Sequence, residues 1–464
     1  MKVVTEEIST ILSFNVEDGV VINSLAGTGK TSLLEELALG YYPQKILYLV
    51  YNRAMLMQAV SRFERFGNVH VETFHSLAKK YLRIDDGKIS DSQRIIDVFD
   101  FMRTHDHDVT IETCRDVLNN INLFCSSKSN FEEFYARVDD NIKDLFHFYW
   151  SAIVCKNEFI PYLHDYYLKE FQLQNSPTFE YDYVFVDESQ DLTGCMVDIA
   201  LSQSSKKIFI GDPHQDIYGW RFSSGAICEL SNQYPCFKLT RSFRCSERVA
   251  SVARTFLNIL GESGVFSGVD RERSPSSQIA YIARTNMGLF RKASSIPPQK
   301  KIFYVGGFEG YKFDVIKDVY YLFNNNIDCI SSSFIKSFDS KSAFISYVNR
   351  AKEHDLYTIS NIVQKTNCVE ALVDKIMSQI TENIDEADVV LTTAHKSKGL
   401  EFDNVELLDD FFDIKKCMVM NAKIPSEEIR LIYVSVTRAK YDVVLPSKLC
   451  INDKAVVKIV KLVQ

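Results

Sequence analysis

The sequence has little of what marks several protein classes. Its eleven cysteines stand singly with no C-x-x-C pair, which argues against a zinc ribbon or a disulfide framework and fits reduced thiols inside a cell. No apolar run reaches the length of a membrane span, and the acidic N-terminus MKVVTEEIST does not resemble a signal peptide. Basic charge is not in excess, because the net charge is -8. We therefore expect an intracellular, non-membrane protein, in which a basic groove for nucleic acid is still allowed.

A pattern of alternating strands and helices is present instead. At 464 residues the chain is long enough for two to four domains. Residues 19–25 and 45–51 are typical of buried strands, and residues 31–41 between them are typical of a helix. Such alternation predicts an α/β fold with a parallel sheet. From about residue 81 to 167, apolar residues recur at three- and four-residue spacing, which predicts a helical insertion before the α/β pattern resumes at residue 183.

A phosphate-binding loop is predicted at AGTGKTS, which follows a strand and opens a helix. Lys30 would contact the β- and γ-phosphates, the hydroxyl of Thr31 would coordinate Mg²⁺, and the helix N-terminus would add partial positive charge. One departure from the usual pattern is Ser24, which stands at the first glycine position. The residues predicted to bind ATP in this loop are Ala26, Gly27, Thr28, Gly29, Lys30, Thr31 and Ser32.

Two adjacent carboxylates follow another apolar strand in VFVDESQD, residues 184–191. Ligands of open α/β sheets bind at the carboxyl ends of strands. Asp187 is therefore predicted to hold the Mg²⁺ shell, and Glu188 is predicted to polarise the attacking water. Together with the phosphate-binding loop, this pair predicts an ATP-hydrolysing enzyme.

Further segments resemble those of a known family. They are YNRAM (51–55), ETFHSLA (72–78), IGDPHQDIYGWR (210–221), LTRSFRCSERVA (239–250), TTAHKSKGLEFDNVELLDDF (392–411) and EIRLIYVSVTRAK (428–440). In this order they resemble the motifs of the UvrD/Rep-type DNA helicases of superfamily 1. The tripeptide SFR resembles the F-box DNA helicase group in particular. No F-box precedes the helicase-like motifs, so we expect no ubiquitin-ligase partner.

The resemblance implies roles for individual residues around ATP. Gln215 would sense the γ-phosphate, and Arg244 and Arg438 would be arginine fingers. Phe243 would replace the usual tyrosine that stacks on adenine, and Glu401 would contact the ribose. The sequence has no glutamine before Gln44, although the family usually has one that reads the adenine edge, so adenine selectivity is left open.

The resemblance also implies contacts to single-stranded DNA, including a stacking contact from Trp220 to a base. The residues implied in DNA binding are Tyr51, Asn52, Thr73, Phe74, His75, Tyr218, Trp220, Arg221, Thr393 and His395. Each residue also has an ordinary structural interpretation. A lone tryptophan is more often core, His75 and His395 could be structural histidines, and Arg244 and Arg438 could be surface arginines.

Two RecA-like domains are implied, each with an insertion. The first would comprise residues 1–80 and 168–235 around the helical insertion 81–167, and the second would comprise residues 236–326 and 388–464 around a small insertion at 327–387. The implied activity is an ATP-dependent DNA helicase or translocase that moves 3′ to 5′ on single-stranded DNA and at single-strand/duplex junctions, in replication, recombination or repair, in the nucleus or cytoplasm. Alternatives are a translocase that strips proteins from DNA with little unwinding, a nucleotide-gated DNA clamp, and an RNA substrate.

Overall fold

The computed structural model describes residues 5–85, 87, 89–90, 92–174, 179–217, 219, 225–270, 276–311, 313–366 and 368–463. The chain divides into two compact units, unit 1 (Met1–Thr240) and unit 2 (Arg241–Gln464). Each unit has its own parallel sheet, so the predicted α/β fold is confirmed. No helix within those described ranges is long and apolar enough to cross a bilayer. The domain and insertion boundaries drawn from the sequence stay predictions.

A parallel sheet is the centre of unit 1. The strands of this unit are β1 (Gly19–Ser24), β2 (Ile46–Val50), β3 (Val69–Thr73), β4 (Ile89–Ser90), β5 (Tyr162–Leu163), β6 (Tyr183–Val186), β7 (Lys206–Gly211) and β8 (Cys236–Leu239). Six of them form the sheet in the order β3-β2-β6-β7-β1-β8, and β4 pairs with β5. Val20 and Ile22 belong to the core cluster on one face, and Val21 belongs to the cluster on the other. Because both faces are covered, the inner strands β2 and β6 are continuous apolar runs, which made them recognisable from sequence.

Helices cover both faces of this sheet. They are α1 (Glu6–Ser13), α2 (Lys30–Gly40), α3 (Arg53–Phe63), α4 (Phe74–Leu82), α5 (Ile95–Thr104), α6 (Ile111–Ser126), α7 (Phe131–Tyr135), α8 (Lys143–Val154), α9 (His164–Leu173), α10 (Gly194–Leu201) and α11 (Ala226–Ser231). Helices α5 to α8 lie where three- and four-residue spacing predicts helix. The pair β4–β5 in the same region was not predicted, because strands of two residues are too short to show a period.

Unit 2 has a five-stranded parallel sheet in the order β12-β13-β11-β14-β15, and a separate pair β9–β10. Its strands are β9 (Arg241–Ser246), β10 (Ser267–Val269), β11 (Ile279–Ala283), β12 (Ile302–Tyr304), β13 (Val389–Thr393), β14 (Phe402–Leu407) and β15 (Ala439–Val444). Its helices are α12 (Glu247–Ile259), α13 (Asn286–Ser295), α14 (Phe313–Phe323), α15 (Ser333–Lys336), α16 (Lys341–Ala351), α17 (His354–Lys365), α18 (Val369–Ser378), α19 (Ile414–Met420), α20 (Ser426–Val436) and α21 (Asp453–Val460). Residues 327–387, which show little pattern in the sequence, contain the short helices α15 to α18.

Candidate active site

Three neighbouring strands of unit 1 deliver the predicted phosphate-site residues to one edge of the sheet. The order β6-β7-β1 makes the carboxyl ends of these strands adjacent, since the strands are parallel. The loop after β1 leads into α2, Asp187 and Glu188 follow β6, and Asp212 follows β7. Side chains from segments that are far apart in sequence therefore meet where open α/β sheets bind their ligands.

The loop between β1 and α2 has the backbone expected of a phosphate-binding loop. Gly27 and Gly29 have φ angles of 71° and 88°, in the left-handed region that favours glycine, and Gly29 is the N-cap of α2. The serine at the first glycine position is accommodated by hydrogen bonding: Ser24 Oγ lies 2.5 Å from Thr28 Oγ1, and Thr28 Oγ1 donates to the carbonyl of Leu25 at 2.9 Å. Ser24 thus stabilises the phosphate-binding loop through its contact with Thr28.

The two adjacent carboxylates have different surroundings. Asp187 is 5% exposed and accepts hydrogen bonds from the hydroxyl of Tyr48 at 2.7 Å and from the backbone N–H of Glu188 at 2.8 Å. Burial, followed by the charge of Glu188, raises the pKa of Asp187, and the charge of Lys30 opposes the rise. Glu188 has a left-handed backbone with φ 49°, and its Oε1 lies 3.4 Å from Lys30 Nζ. Burial therefore disfavours the charged form of Asp187, and a cation bound beside it would favour that form.

The donor set at this edge fits Mg²⁺. Asp187 and Thr31 supply hard oxygen ligands, and Mg²⁺ is typically bound by one or two protein groups together with substrate phosphates and water. In the described part of the chain no group of three or more His, Cys, Asp or Glu side chains could hold a metal by itself.

A hydrogen-bonded chain connects this carboxylate pair to the segment after β7. Gln190 is fully buried, donates from Nε2 to Glu188 Oε2 at 2.6 Å, and accepts at Oε1 from the backbone N–H of Asp212 at 3.0 Å. Asp212 in turn accepts from Gln215 Nε2 at 2.7 Å. Sequence reasoning named Glu188 and Gln215 but missed Gln190, although its amide is the type of side chain that can donate at one end and accept at the other.

In unit 2, Arg244 lies on β9 and bonds to a carboxylate. Its Nε donates to Glu401 Oε1 at 2.7 Å, and its Nη1 donates to the carbonyl of Thr437 at 3.4 Å. Burial alone would raise the pKa of Glu401, but the charges of Arg244, Lys440 and Arg438 outweigh burial and hold that pKa below the usual value for glutamate. Arg244 and Glu401, which the sequence assigns to the phosphate and the ribose, are thus direct partners.

Arg438 has an entirely different environment. It is 1% exposed, so it is not a surface arginine. Its Nε donates to the carbonyl of Val434 at 2.9 Å, its Nη1 to the carbonyl of Leu400 at 3.3 Å, and its Nη2 to Thr437 Oγ1 at 3.3 Å. The side chain therefore joins the end of α20 to the loop before β14, and a contact with a phosphate would have to use the remaining donor capacity of the guanidinium.

The residues predicted to contact DNA are placed in several ways. Asn52 and Thr73 are N-caps, of α3 and α4, and the ring of Phe74 is 1% exposed in the core. His75 lies 3.4 Å from Asp165 Oδ1, and Thr393 is mostly buried at the end of β13. Half-buried positions are found for Tyr51, Phe243 and His395. Tyr218, Trp220 and Arg221 lie outside the described residues. DNA contact by any of these residues stays a prediction.

Comparison with known proteins agrees with the motif order and the two parallel sheets. Residues 10–221 match a family model described as an AAA domain, and residues 324–447 match the UvrD-like helicase C-terminal domain. The chain is 29% identical to F-box DNA helicase 1 of Gallus gallus over 94% of this chain and 48% of the relative, and 29% identical to F-box DNA helicase protein 1 of Schizosaccharomyces pombe over 96% and 57%. It is 24% identical to the ATP-dependent DNA helicase PcrA of Leuconostoc citreum over 57% and 40%.

The chain spans about half the length of the curated relatives it matches. The two family models cover segments of both units, and the relatives with F-box in their names match nearly the whole chain. These matches confirm the resemblance of the chain to the UvrD-type helicases of superfamily 1.

Proposed function

We propose that this chain is an ATP-dependent DNA helicase or translocase that moves along single-stranded DNA from 3′ to 5′. The observation that supports it most directly is the convergence of Lys30, Glu188 and Asp187 beside a glycine loop that opens a helix. The names of the relatives support DNA as the substrate. We place its work in DNA replication, recombination or repair, at single strands and single-strand/duplex junctions, in the nucleus or cytoplasm.

The residues of unit 1 would divide the work of hydrolysis. Lys30 and the amides after Gly27 would bind the phosphates, and Glu188 would orient and polarise the attacking water. Thr31 and Asp187 would hold Mg²⁺, which neutralises phosphate charge when it is bound. By the family resemblance, Gln215 would register the γ-phosphate. Its side chain is 3% exposed and donates to Asp212 at 2.7 Å.

The residues of unit 2 would supply charge to the transition state and contacts to the nucleoside. Arg244 would be the principal finger and Arg438 the second, with Phe243 against adenine and Glu401 at the ribose. Because these residues belong to unit 2 and Lys30 belongs to unit 1, hydrolysis would require both units. Movement on DNA would follow if the segments around Thr73, Trp220 and His395 grip the strand.

The test is ATP hydrolysis by the purified chain with and without single-stranded DNA, followed by unwinding of duplexes with a 3′ or a 5′ tail. We expect strong stimulation of hydrolysis by single-stranded DNA and unwinding of the 3′-tailed duplex only. Glu188→Gln serves as the matched inactive control, since it keeps the size of the side chain.

Each alternative has its own outcome in the same experiment. Stimulated hydrolysis with displacement of a bound protein but no unwinding would identify a stripping translocase. ATP-dependent DNA binding without turnover would identify a clamp, and equal stimulation by single-stranded RNA would remove DNA specificity. A turnover that no nucleic acid changes would contradict the proposed function.

A further inference from the structure

We propose that Gln190 is a positioning residue that transmits the state of the DNA-contacting segment after β7 to the carboxylate of Glu188. The proposal rests on the proposed function, because it takes Glu188 as the group that polarises water. Gln190 itself touches neither phosphate nor DNA in this assignment. It acts through two hydrogen bonds, one from each end of a fully buried amide.

The amide of Gln190 can adopt one orientation only. Nε2 faces the acceptor Glu188 Oε2 at 2.6 Å, and Oε1 faces the donor N–H of Asp212 at 3.0 Å. A flipped amide would place its oxygen against a carboxylate and its NH₂ against an N–H, so both bonds would be lost inside the protein. A displacement of the Asp212 backbone would therefore move the amide of Gln190, and the amide would move the carboxylate of Glu188 to which it donates.

Contact with the last residue of β7 is close enough to make this link stiff. A Cβ added to Gly211 would lie 2.2 Å from Gln190 Oε1 and 2.9 Å from the backbone nitrogen of Ser189. Only a glycine allows the amide to pack directly on that backbone. A shift of the chain at Gly211 and Asp212 must consequently move the amide of Gln190, because densely packed groups do not absorb such shifts.

Asp212 ties the other end of the link to the segment that carries the predicted DNA contacts. Its Oδ1 accepts from the backbone N–H of His214 at 3.0 Å, and its Oδ2 accepts from Gln215 Nε2 at 2.7 Å. Residues 212–215 thus form one hydrogen-bonded turn. The chain continues from this turn towards Trp220, for which the family resemblance implies base stacking. In the sequence, Trp220 follows this turn by five residues. We infer that a strand bound there would shift the turn, and that the shift would reach Gln190 through Asp212.

At the catalytic end, Glu188 is held between two partners. Lys30 Nζ lies 3.4 Å from its Oε1, and Gln190 donates to its Oε2. Without the amide, the pull of Lys30 on the carboxylate would no longer be opposed by the hydrogen bond from Gln190. Glu188 would then turn away from the position needed to orient water, and misplacement of a catalytic group by about 1 Å can cost on the order of 10²-fold in rate.

The test uses Gln190→Met, which removes both bonds at nearly constant volume, and Gln190→Glu, which keeps an acceptor for Asp212 N–H but removes the donor to Glu188. Gln203→Met is the matched control. Gln203 is also a buried glutamine of unit 1 that bonds at both ends, to Phe179 N–H and to the carbonyl of Ile199, in a different part of the fold. Unfolding temperatures identify a variant that fails to fold, and the second Gln190 variant then decides.

We expect both Gln190 variants to lower the kcat at saturating single-stranded DNA by roughly 10- to 100-fold. The DNA-free rate should fall by a smaller factor, because without DNA Gln190 has no shift of the turn to transmit to Glu188. The KM for ATP should change less than about threefold, because the groups that bind ATP are untouched. Gln203→Met should behave as the wild type. In single-turnover measurements, adding Gln190→Met to Glu188→Gln should cause no further loss, since both changes act on one group.

Stimulation by DNA that persists in both Gln190 variants, or a loss that adds to that of Glu188→Gln, would overturn the positioning role. An equal drop of the DNA-free and DNA-saturated rates would also overturn it, because the residue would then support Glu188 without reporting DNA. Absence of stimulation in the wild type is a separate result, which refutes the proposed function instead.

Discussion

The two units differ in how their candidate catalytic side chains are held. In unit 1, Lys30, Glu188 and Gln190 contact one another through their side chains. In unit 2, the two candidate arginines have different kinds of hydrogen-bond partner. Arg244 has its short hydrogen bond, at 2.7 Å, to the carboxylate of Glu401 and a longer one, at 3.4 Å, to the carbonyl of Thr437. Arg438 donates to two backbone carbonyls and a hydroxyl. A side chain that bonds to other side chains can be removed with little change to the backbone. A buried arginine that satisfies carbonyls is part of the fold.

We therefore expect some substitutions to lower activity without lowering stability, and others to lower both. Changes at Lys30, Glu188 and Arg244 should affect hydrolysis while the protein remains folded. A change at Arg438 should affect both.

Replacing Arg244 with alanine should have the largest effect. An arginine finger contributes about 10³–10⁵ to the rate of phosphoryl transfer, and it acts in the transition state, so kcat should fall far more than KM rises. The free energy of unfolding should change by less than about 1 kcal/mol, because partly exposed ion pairs contribute little. Steady-state kinetics and urea denaturation measure both quantities, with Arg291→Ala on the surface of unit 2 as the control. A loss confined to KM would make Arg244 an ordinary binding residue.

Glu188→Gln and Lys30→Ala should both lower turnover strongly, by different routes. Loss of a general base typically costs about 10²–10⁴-fold in kcat. Glu188→Gln should still bind ATP, whereas Lys30→Ala should bind it weakly, since the lysine supplies the charge that the phosphates meet. Binding of a fluorescent ATP analogue distinguishes the two. Near-normal turnover in Glu188→Gln would show that Glu188 does not polarise the attacking water. The expectation that the side chains of unit 1 carry the chemistry of hydrolysis would then be wrong.

Arg438→Ala should destabilise the protein. Removing a buried charged donor leaves the carbonyls of Val434 and Leu400 without that partner, which should cost roughly 2–4 kcal/mol in the free energy of unfolding. Urea denaturation of Arg438→Ala beside Arg244→Ala measures the contrast directly. If the two variants are equally stable, the guanidinium of Arg438 does not hold the loop before β14. The expectation that Arg438 stabilises the fold more than Arg244 does would then be wrong.

Local motifs explain why much of unit 1 could be predicted from sequence. Apolar strands covered on both faces are visible as runs, and a glycine loop followed by Lys-Thr specifies a strand–loop–helix turn by itself. The sequence therefore indicated β1, α2, β2 and β6, together with the positions of Lys30 and Asp187. Each of these features depends on neighbours within a few residues.

Partners that come from distant segments could not be predicted. The bond of Gln190 to Asp212 spans 22 residues, and that of Arg244 to Glu401 spans 157. Nothing in the local pattern of SFRCS distinguishes an arginine paired with a carboxylate from an exposed one. The burial of Arg438 likewise depends on how α20 packs, which periodicity predicts only as a face and not as a hydrogen-bond partner. The sequence also gave no reason to expect that Ser24 would brace the phosphate-binding loop through Thr28.

The smallest expected effect is a pH-dependent contribution of the Arg244–Glu401 pair to stability. The folded-state pKa of Glu401 lies below its usual value, so the pair stabilises the protein fully above the unfolded-state pKa of about 4.3 and loses that contribution as pH falls through the folded value. Glu401 is 40% exposed, so after allowance for screening the pair should contribute no more than about 1 kcal/mol. We therefore expect Glu401→Gln to be slightly less stable than the wild type at pH 7, and the difference in unfolding free energy should shrink between pH 5 and pH 3. Urea denaturation at several pH values measures it, with the exposed Glu382→Gln as the control. A difference that stays constant or grows on acidification would mean that the charge of Glu401 does not hold Arg244, and that the partner of this arginine is as structural as the carbonyls around Arg438.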